Sequence, residues 1–336
     1  MRITIVGAGA MGSLMAARLA AIAGKPGTTP ESSVEQVILH GRPSDHLTAI
    51  QQDGLRVIEQ DGTSRIVPVH ATTDPAEVEG SDVVLVLVKS WASAEAAAPL
   101  APYLNRDTIV VTLQNGLGNA SALRSALLND GVRPHVYLGV TTQAAMRTSA
   151  GEIRHTGSGI TALGRRANPV NAAVRDIATV LTTSGMRTVA VDDIHRWVWR
   201  KLAVNAAINP LTALAGVRNA AISTDAGLRQ AAETIAREVV LVGKASGVQI
   251  DLHEVLAAIV DVARSTGENQ SSMLVDLNTG TRTEIDAING AIIAEARRHA
   301  IKVPANQLMT ALVRAREGRH DGTGERDSAL DTAAIA

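Results

Sequence analysis

Arg2-Ile3-Thr4-Ile5-Val6-Gly7-Ala8-Gly9-Ala10-Met11-Gly12 opens the chain and decides its fold. Residues 2–6 are a short β-rich run. Residues 13–23 continue as an Ala- and Leu-rich helix. The order is strand, glycine turn, helix. Gly7 permits the tight turn, Gly9 lets a pyrophosphate approach the backbone, and Gly12 lets helix and strand pack closely. The helix N-terminus then faces the phosphates with its free N–H groups. Glycine spacing alone is weak evidence. Here the flanking strand and helix supply the context, so Gly7, Ala8, Gly9, Ala10, Met11 and Gly12 read as a dinucleotide cradle. They place the first half of the chain in a Rossmann-type, doubly wound α/β sheet.

Outward from this cradle, residues 24–33 are rich in Gly, Pro, Thr and Ser and read as an inserted loop. A second strand at 36–40 ends His40-Gly41-Arg42. An NAD site would place an acid there for the ribose hydroxyls. An acid repels a 2′-phosphate, whereas arginine holds one bidentately. Arg42 therefore points to NADP(H), the plain alternative being a surface arginine. Residues 55–58 and 65–70 read as two strands of an excursion, turning at Asp61-Gly62.

The run 82–88 is Asp82 followed by six unbroken apolar residues, as a parallel strand buried on both faces should be. It ends Lys89-Ser90-Trp91. Residues 108–113 repeat the pattern and end Gln114-Asn115-Gly116-Leu117-Gly118. Ligands of doubly wound sheets bind beyond the carboxyl ends of strands, which puts Lys89 and Asn115 near a cofactor. Asn-Gly is also an ordinary turn dipeptide. By position alone, ligand contact and loop chemistry both stay open. Further strands are expected at 136–142 and 188–191, and a helix at 171–184. Residues 152–155 and 160–163 read as an antiparallel pair around Gly157-Ser158-Gly159.

From Ile194 on the pattern is helical, at 195–208, 225–247, 253–264, 284–300 and 305–316. A β/α half followed by an all-α half implies two domains. We expect a dinucleotide-binding domain at 1–192, an all-α substrate domain at 193–320, and a disordered tail at 321–336. A ligand cleft between the domains follows.

Just past that boundary, the spacing predicts a helix to about Asn209. At ~100° per residue, Lys201, Asn205 and Asn209 share roughly 80° of arc. Leu202, Ala203, Val204, Ala206, Ala207 and Ile208 fill the rest. Lysine is usually exposed, so a solvated face is the plain reading. It fits poorly with so apolar a helix. Buried polar groups need partners, and here other side chains or a polar ligand would supply them. In residues 269–290, Thr281-x-x-Glu284 is a capping box. Ser271 or Ser272 can likewise cap a short helix. Taken alone, this stretch reads as caps.

Composition narrows the classes. Across 336 residues the net charge is −1, which favours neither nucleic acid nor an anionic membrane. The lack of cysteine excludes disulfides and thiolate sites, and fits a reducing compartment. With no Phe, two Tyr and three Trp, cores must be aliphatic, and single-strand nucleic-acid binding loses its stacking groups. Apolar runs are interrupted before membrane-spanning length. No signal peptide precedes the first strand, so a cytoplasmic protein is expected. The nine histidines show no HExxH-type spacing, so no metal site is expected.

Together these residues resemble the ketopantoate reductase (2-dehydropantoate 2-reductase) family. The resemblance runs from residue 1 to about 315. It rests on the glycine loop 7–12, Val88-Lys89-Ser90-Trp91, Gln114-Asn115-Gly116 and the segment from Trp199 to Thr212. It continues in Ser271-Ser272-Met273-Leu274 and Thr283-Glu284-Ile285-Asp286-Ala287-Ile288-Asn289-Gly290. The lysine–asparagine helix and the Ser-Ser-Met with Thr-Glu-Ile-Asp combination are its specific parts.

The resemblance implies reduction of 2-dehydropantoate to (R)-pantoate with NADPH, on the route to pantothenate and coenzyme A. It implies that Lys201 is the catalytic lysine and that Asn205, Asn209, Asn219 and Ser272 contact substrate. Arg218-Asn219-Ala220 departs from the Pro-Asn-Gly common in the family. Glu284 would help position substrate and cofactor, with Asn115 between them. Arg42 and Lys89 would hold the NADP phosphate end. A monomer or homodimer is implied. The chemistry agrees: an ammonium aimed at a ketone oxygen stabilises developing charge and delivers the proton. Two rivals stand beside this. One is a paralogue reducing another 2-oxo acid or carbonyl compound. The other is an NADP(H) sensor without turnover, which would need neither Lys201 nor Glu284.

Overall fold

The computed structural model describes residues 1–25, 33–165 and 169–321. Most of the inserted loop, from 26 to 32, and the tail from 322 on lie outside these residues. The first part of the chain runs β1 (Arg2–Val6), α1 (Ala10–Ala20), β2 (Gln36–His40), α2 (Asp45–Asp53), β3 (Leu55–Ile58), β4 (Ser64–Val67) and β5 (His70–Thr72). It continues with β6 (Val83–Val86), α3 (Ser93–Ala97), β7 (Ile109–Thr112), α4 (Asn119–Ala126) and β8 (His135–Thr141). Then come β9 (Ala144–Ser149), β10 (Glu152–Gly157), β11 (Thr161–Gly164), α5 (Ala172–Thr183) and β12 (Thr188–Ala190). The described remainder is helical: α6 (Ile194–Ala215), α7 (Ala221–Thr224), α8 (Ala226–Ala245), α9 (Leu252–Ser265), α10 (Ser272–Asn278), α11 (Ala291–Arg298) and α12 (Pro304–Asp321).

The main sheet has the order β12-β11-β8-β7-β6-β1-β2-β5. Its pairs are parallel except β8 with β11. The strand order reverses at β1, between β6 and β2. That is the switch point where doubly wound sheets bind ligands. All four residues of β6 are buried, as its unbroken apolar run requires. The fold class read from the sequence is therefore the observed one.

Two strand assignments need correction. Residues 152–155 and 160–163 do not pair. β10 joins a second sheet of order β4-β3-β10-β9, while β11 joins the main sheet. The hairpin partner of β10 is β9, whose last four residues are exposed, so no buried alternation announces it. The expected strand 65–70 is also two strands. Pro68 lacks the N–H a ladder needs. β4 stays with β3 and β5 crosses to β2.

The helical half shares one aliphatic core. Leu202, Ala203, Ala206, Ala207 and Ile208 of α6 are buried with Ile235, Val239 and Val242 of α8 and Val255 and Ile259 of α9. Each fully buried large aliphatic side chain contributes roughly 1.5–3 kcal/mol. α6 does not end near Asn209; it runs on to Ala215 with Pro210 inside. Proline cannot donate to the carbonyl four residues back, here that of Ala206. The fully buried Asn289 supplies the missing donor, its Nδ2 lying 3.2 Å from the Ala206 oxygen. A distant amide thus carries the helix through a proline.

Asn289→Ala should therefore lower stability by about 1–3 kcal/mol, the cost of an unsatisfied buried acceptor. Adding Pro210→Ala restores a backbone donor and should recover part of that loss. Additive losses in a denaturation double-mutant cycle would refute this account. The expected helix 284–300 is also interrupted. Residues Asp286–Gly290 form a π-turn before α11. Among the described residues, no helix is long and apolar enough to cross a membrane.

Candidate active site

The glycine loop begins where β1 ends. Gly7 has φ +116°, and a Cβ there would lie 2.9 Å from the Val88 nitrogen. A Cβ on Gly12 would lie 1.9 Å from the Gly7 oxygen. Neither position accepts another residue. Around Gly9 a Cβ would meet nothing within 4 Å. Gly9 is also the N-cap of α1 and offers no side-chain cap. The first turn of α1 therefore has no side-chain cap, and the space beside Gly9 is open. That cradle fits a nucleotide pyrophosphate.

β2 ends alongside. Gly41 packs against Ala8, to which a Cβ would come within 2.9 Å. His40 is desolvated, which pulls its imidazole below the usual range and keeps it neutral. Arg42 stands exposed at the rim, 3.5 Å from Glu95 of α3. Lys89 follows β6 and reaches across to α10, where its Nζ lies 2.6 Å from Asp276 Oδ2. Burial pushes the Asp276 carboxyl up, and Lys89 opposes that shift.

The capping reading of Glu284 is overturned. Its Oε1 accepts from the Ser90 N–H at 3.0 Å and lies 2.6 Å from Ser90 Oγ. Its Oε2 accepts from Asn115 Nδ2 at 2.9 Å. The Thr281 N–H goes instead to the Asp276 carbonyl, at 2.8 Å. Both carboxylate oxygens are therefore used across the cleft, by loops that follow β6 and β7. Ser90 was passed over in reading the sequence; its place directly after a buried strand was the available signal. Its Oγ also lies 2.9 Å from the Asn115 carbonyl, tying the two loops together.

The Asn115–Gly118 loop docks on the π-turn. The Leu117 N–H donates to the Ala287 carbonyl at 2.9 Å. At Gly116 a Cβ would lie only 2.2 Å from that oxygen, and φ is +86°. Here Asn-Gly is a docked turn.

Lys201 donates from Nζ to the Thr141 carbonyl at 2.7 Å, at the carboxyl end of β8. Desolvation lowers its pKa to about 8, against the opposing charge of Glu284. Lys201, Asn205 and Asn115 line one cavity of about 370 Å³. Ser90 and Glu284 line an adjoining one of about 290 Å³. The structure thus brings Lys201, Glu284, Asn115 and Ser90 together.

The remaining residues are more spread. Asn205 and Asn209 make no side-chain hydrogen bond to the described residues, although Asn209 is buried. Two amides without protein partners on a buried helix face suit a polar ligand. Asn219 donates to Thr266 Oγ1 at 2.9 Å and leaves its buried Oδ1 unpartnered. Of the serine pair, Ser271 is the cap: its Oγ accepts from Leu274 N and from Thr212 Oγ1. That leaves Ser272 exposed at the start of α10.

Both halves of the chain match known proteins. The family described as "Ketopantoate reductase PanE/ApbA" matches residues 3–168, and its C-terminal counterpart matches 193–317. A 2-dehydropantoate 2-reductase of Halobacterium salinarum is 39% identical over 314 residues, covering 94% of this chain and 98% of the relative. A PanE/ApbA family ketopantoate reductase structure from Ralstonia eutropha JMP134 superposes with TM-score 0.83 at 31% identity, covering 96% and 100% of the two chains. A D-mandelate dehydrogenase with NADH and anilino(oxo)acetate superposes at TM-score 0.85 and 26% identity, covering 96% and 100%. With both halves matched and near full-length relatives at this identity, the chain belongs to the ketopantoate reductase family.

Proposed function

We propose that this protein reduces 2-dehydropantoate to (R)-pantoate with NADPH. The observation that carries the proposal is the 39% identity to a 2-dehydropantoate 2-reductase across nearly its whole length. Lys201, within reach of the Glu284 charge, gives that identity its chemistry, and the pair argues against a sensor without turnover. Residues 1–192 would hold the nucleotide, and 193–320 would present the substrate groups.

A nicotinamide cofactor is supported by the family and by the neighbouring NADH-bound dehydrogenase. When bound, the nicotinamide supplies a hydride to the ketone carbon. The glycine loop and the α1 N-terminus hold the pyrophosphate. The Lys201 ammonium stabilises charge growing on the ketone oxygen and delivers the proton. Asn205, Asn209, Asn219 and Ser272 offer hydrogen bonds to carboxylate and hydroxyl groups. Glu284, held by Ser90 and Asn115, fixes the cleft between the two halves.

The test is initial NADPH oxidation across a panel of 2-oxo acids. 2-Oxoisovalerate lacks the terminal hydroxyl and would leave a polar group unpaired. Its kcat/KM should fall about tenfold to two-hundredfold below that of 2-dehydropantoate. Equal rates, or no reduction of either, would remove the assignment in favour of another 2-oxo acid.

The preference for NADPH rests on Arg42 and on the lack of an acid at the end of β2. Arg42→Ala should raise the KM for NADPH and leave NADH nearly unaffected. Equal kcat/KM for both cofactors in the parent enzyme would contradict it.

A further inference from the structure

Each turnover leaves Lys201 one proton short. We propose that the 370 Å³ cavity is the route by which water returns that proton. The proposal rests on Lys201 being the proton donor.

The cavity touches Lys201, Asn205 and Asn115, yet no residue of the glycine loop, nor Ser90 or Glu284, lines it. It therefore approaches Lys201 from outside the nucleotide cradle and meets the Glu284 clamp only at Asn115. Leu117, Gly118 and Asn119 line both this cavity and the one holding Glu284, and stand between them. Its rim includes the exposed Ser121, Arg124 and Arg298, so it communicates with solvent. The volume admits several waters, given roughly 30 Å³ for each. Such waters need polar partners. The Asn205 amide, which makes no hydrogen bond to the described residues, lines the cavity and can hold them, whereas the Gln114 amide spends both its N–H groups on the Val88 carbonyl and Ser93 Oγ. The Thr141 carbonyl engages one Lys201 N–H, leaving the others for substrate and water.

The proton balance is closed. The ketone carbon gains the hydride with its electron pair. The ketone oxygen gains a proton as one N–H bond of Lys201 breaks. That bond is remade from an O–H bond of a cavity water, and the hydroxide formed is neutralised by bulk buffer. No further oxidant or reductant takes part.

The experiment fills the cavity without touching the cluster. Val198 and Leu138 line it and are partly exposed. Val198→Phe and Leu138→Phe should each fold and keep the single-turnover rate of hydride transfer. Steady-state kcat should fall about tenfold, with a larger solvent deuterium isotope effect, as proton return becomes limiting. In the complex with NADP⁺ and pantoate, exchange of the Lys201 ammonium protons with D₂O, followed by NMR, should slow in parallel. Val198→Ala, which widens the cavity, should match the parent. Folded Phe variants with parental kcat and parental exchange overturn the route. So does a single-turnover rate that falls as far as kcat, because Lys201 itself is then displaced. If Lys201→Ala keeps its kcat, the donor reading fails. If Lys201→Ala is inactive while the filled variants are parental, only the route fails.

Discussion

Lys201→Ala should lower kcat roughly 10²–10⁴-fold, the usual contribution of a positioned general acid. NADPH affinity should change little, because Lys201 lies on α6 and hydrogen-bonds the end of β8, away from the glycine loop. The pH profile gives an independent check. Burial holds the ammonium at a pKa of about 8. With Lys201 as the proton donor the protonated form is the active one, so kcat/KM should decline above about pH 8 and be flat below it. Stability runs the other way. The folded pKa lies below the ordinary lysine value of 10.5. The unfolded chain therefore binds more protons between about 8 and 10.5, and this group's contribution to stability rises with pH through that window. At neutral pH the buried charge is a cost. Lys201→Met, which keeps most of the volume, should lose kcat as alanine does and melt no lower than the parent. A variant that keeps most of its kcat would show the lysine to be structural.

The strands that lead to the cleft were legible because burial wrote them. β1, β2 and β3 match their expected limits, and β6 is a core of four buried residues inside an unbroken apolar run. The polar stripe of α6 was legible for the opposite reason, as groups that a buried helix should not carry. What failed depended on partners far away in sequence. α6 runs past the expected limit near Asn209, and the donor that compensates Pro210, Asn289, lies 83 residues from the freed carbonyl. The pairing of Lys89 with Asp276 spans 187 residues. β9 is largely exposed, so nothing local marks it, and β10 was assigned the wrong partner in consequence. Glu284 shows the limit most sharply: its local context satisfies a capping box, and its carboxylate is used across the cleft instead.

Glu284→Gln therefore separates two roles that one short motif permits. The carboxylate now accepts from the Ser90 N–H and from Asn115 Nδ2 on different oxygens, with Ser90 Oγ close to the first. A glutamine amide has one acceptor oxygen and one NH₂. At least one of these donors then faces another donor or turns away. Hydrogen bonds to a charged group contribute roughly 1.5–3 kcal/mol, so kcat/KM should fall on the order of tenfold to a hundredfold. Glu284 also raises the Lys201 pKa against desolvation. Removing its charge should shift the alkaline decline of kcat/KM to lower pH, a displacement that lost packing alone does not produce. Melting should stay close to the parent, since the amide keeps the size and most of the contacts. Thr281→Ala, which deletes the would-be cap, should change neither melting nor kinetics. A capping role predicts the reverse: both variants would melt lower by the equivalent of about 0.5–2 kcal/mol, with unchanged kinetics in the folded fraction.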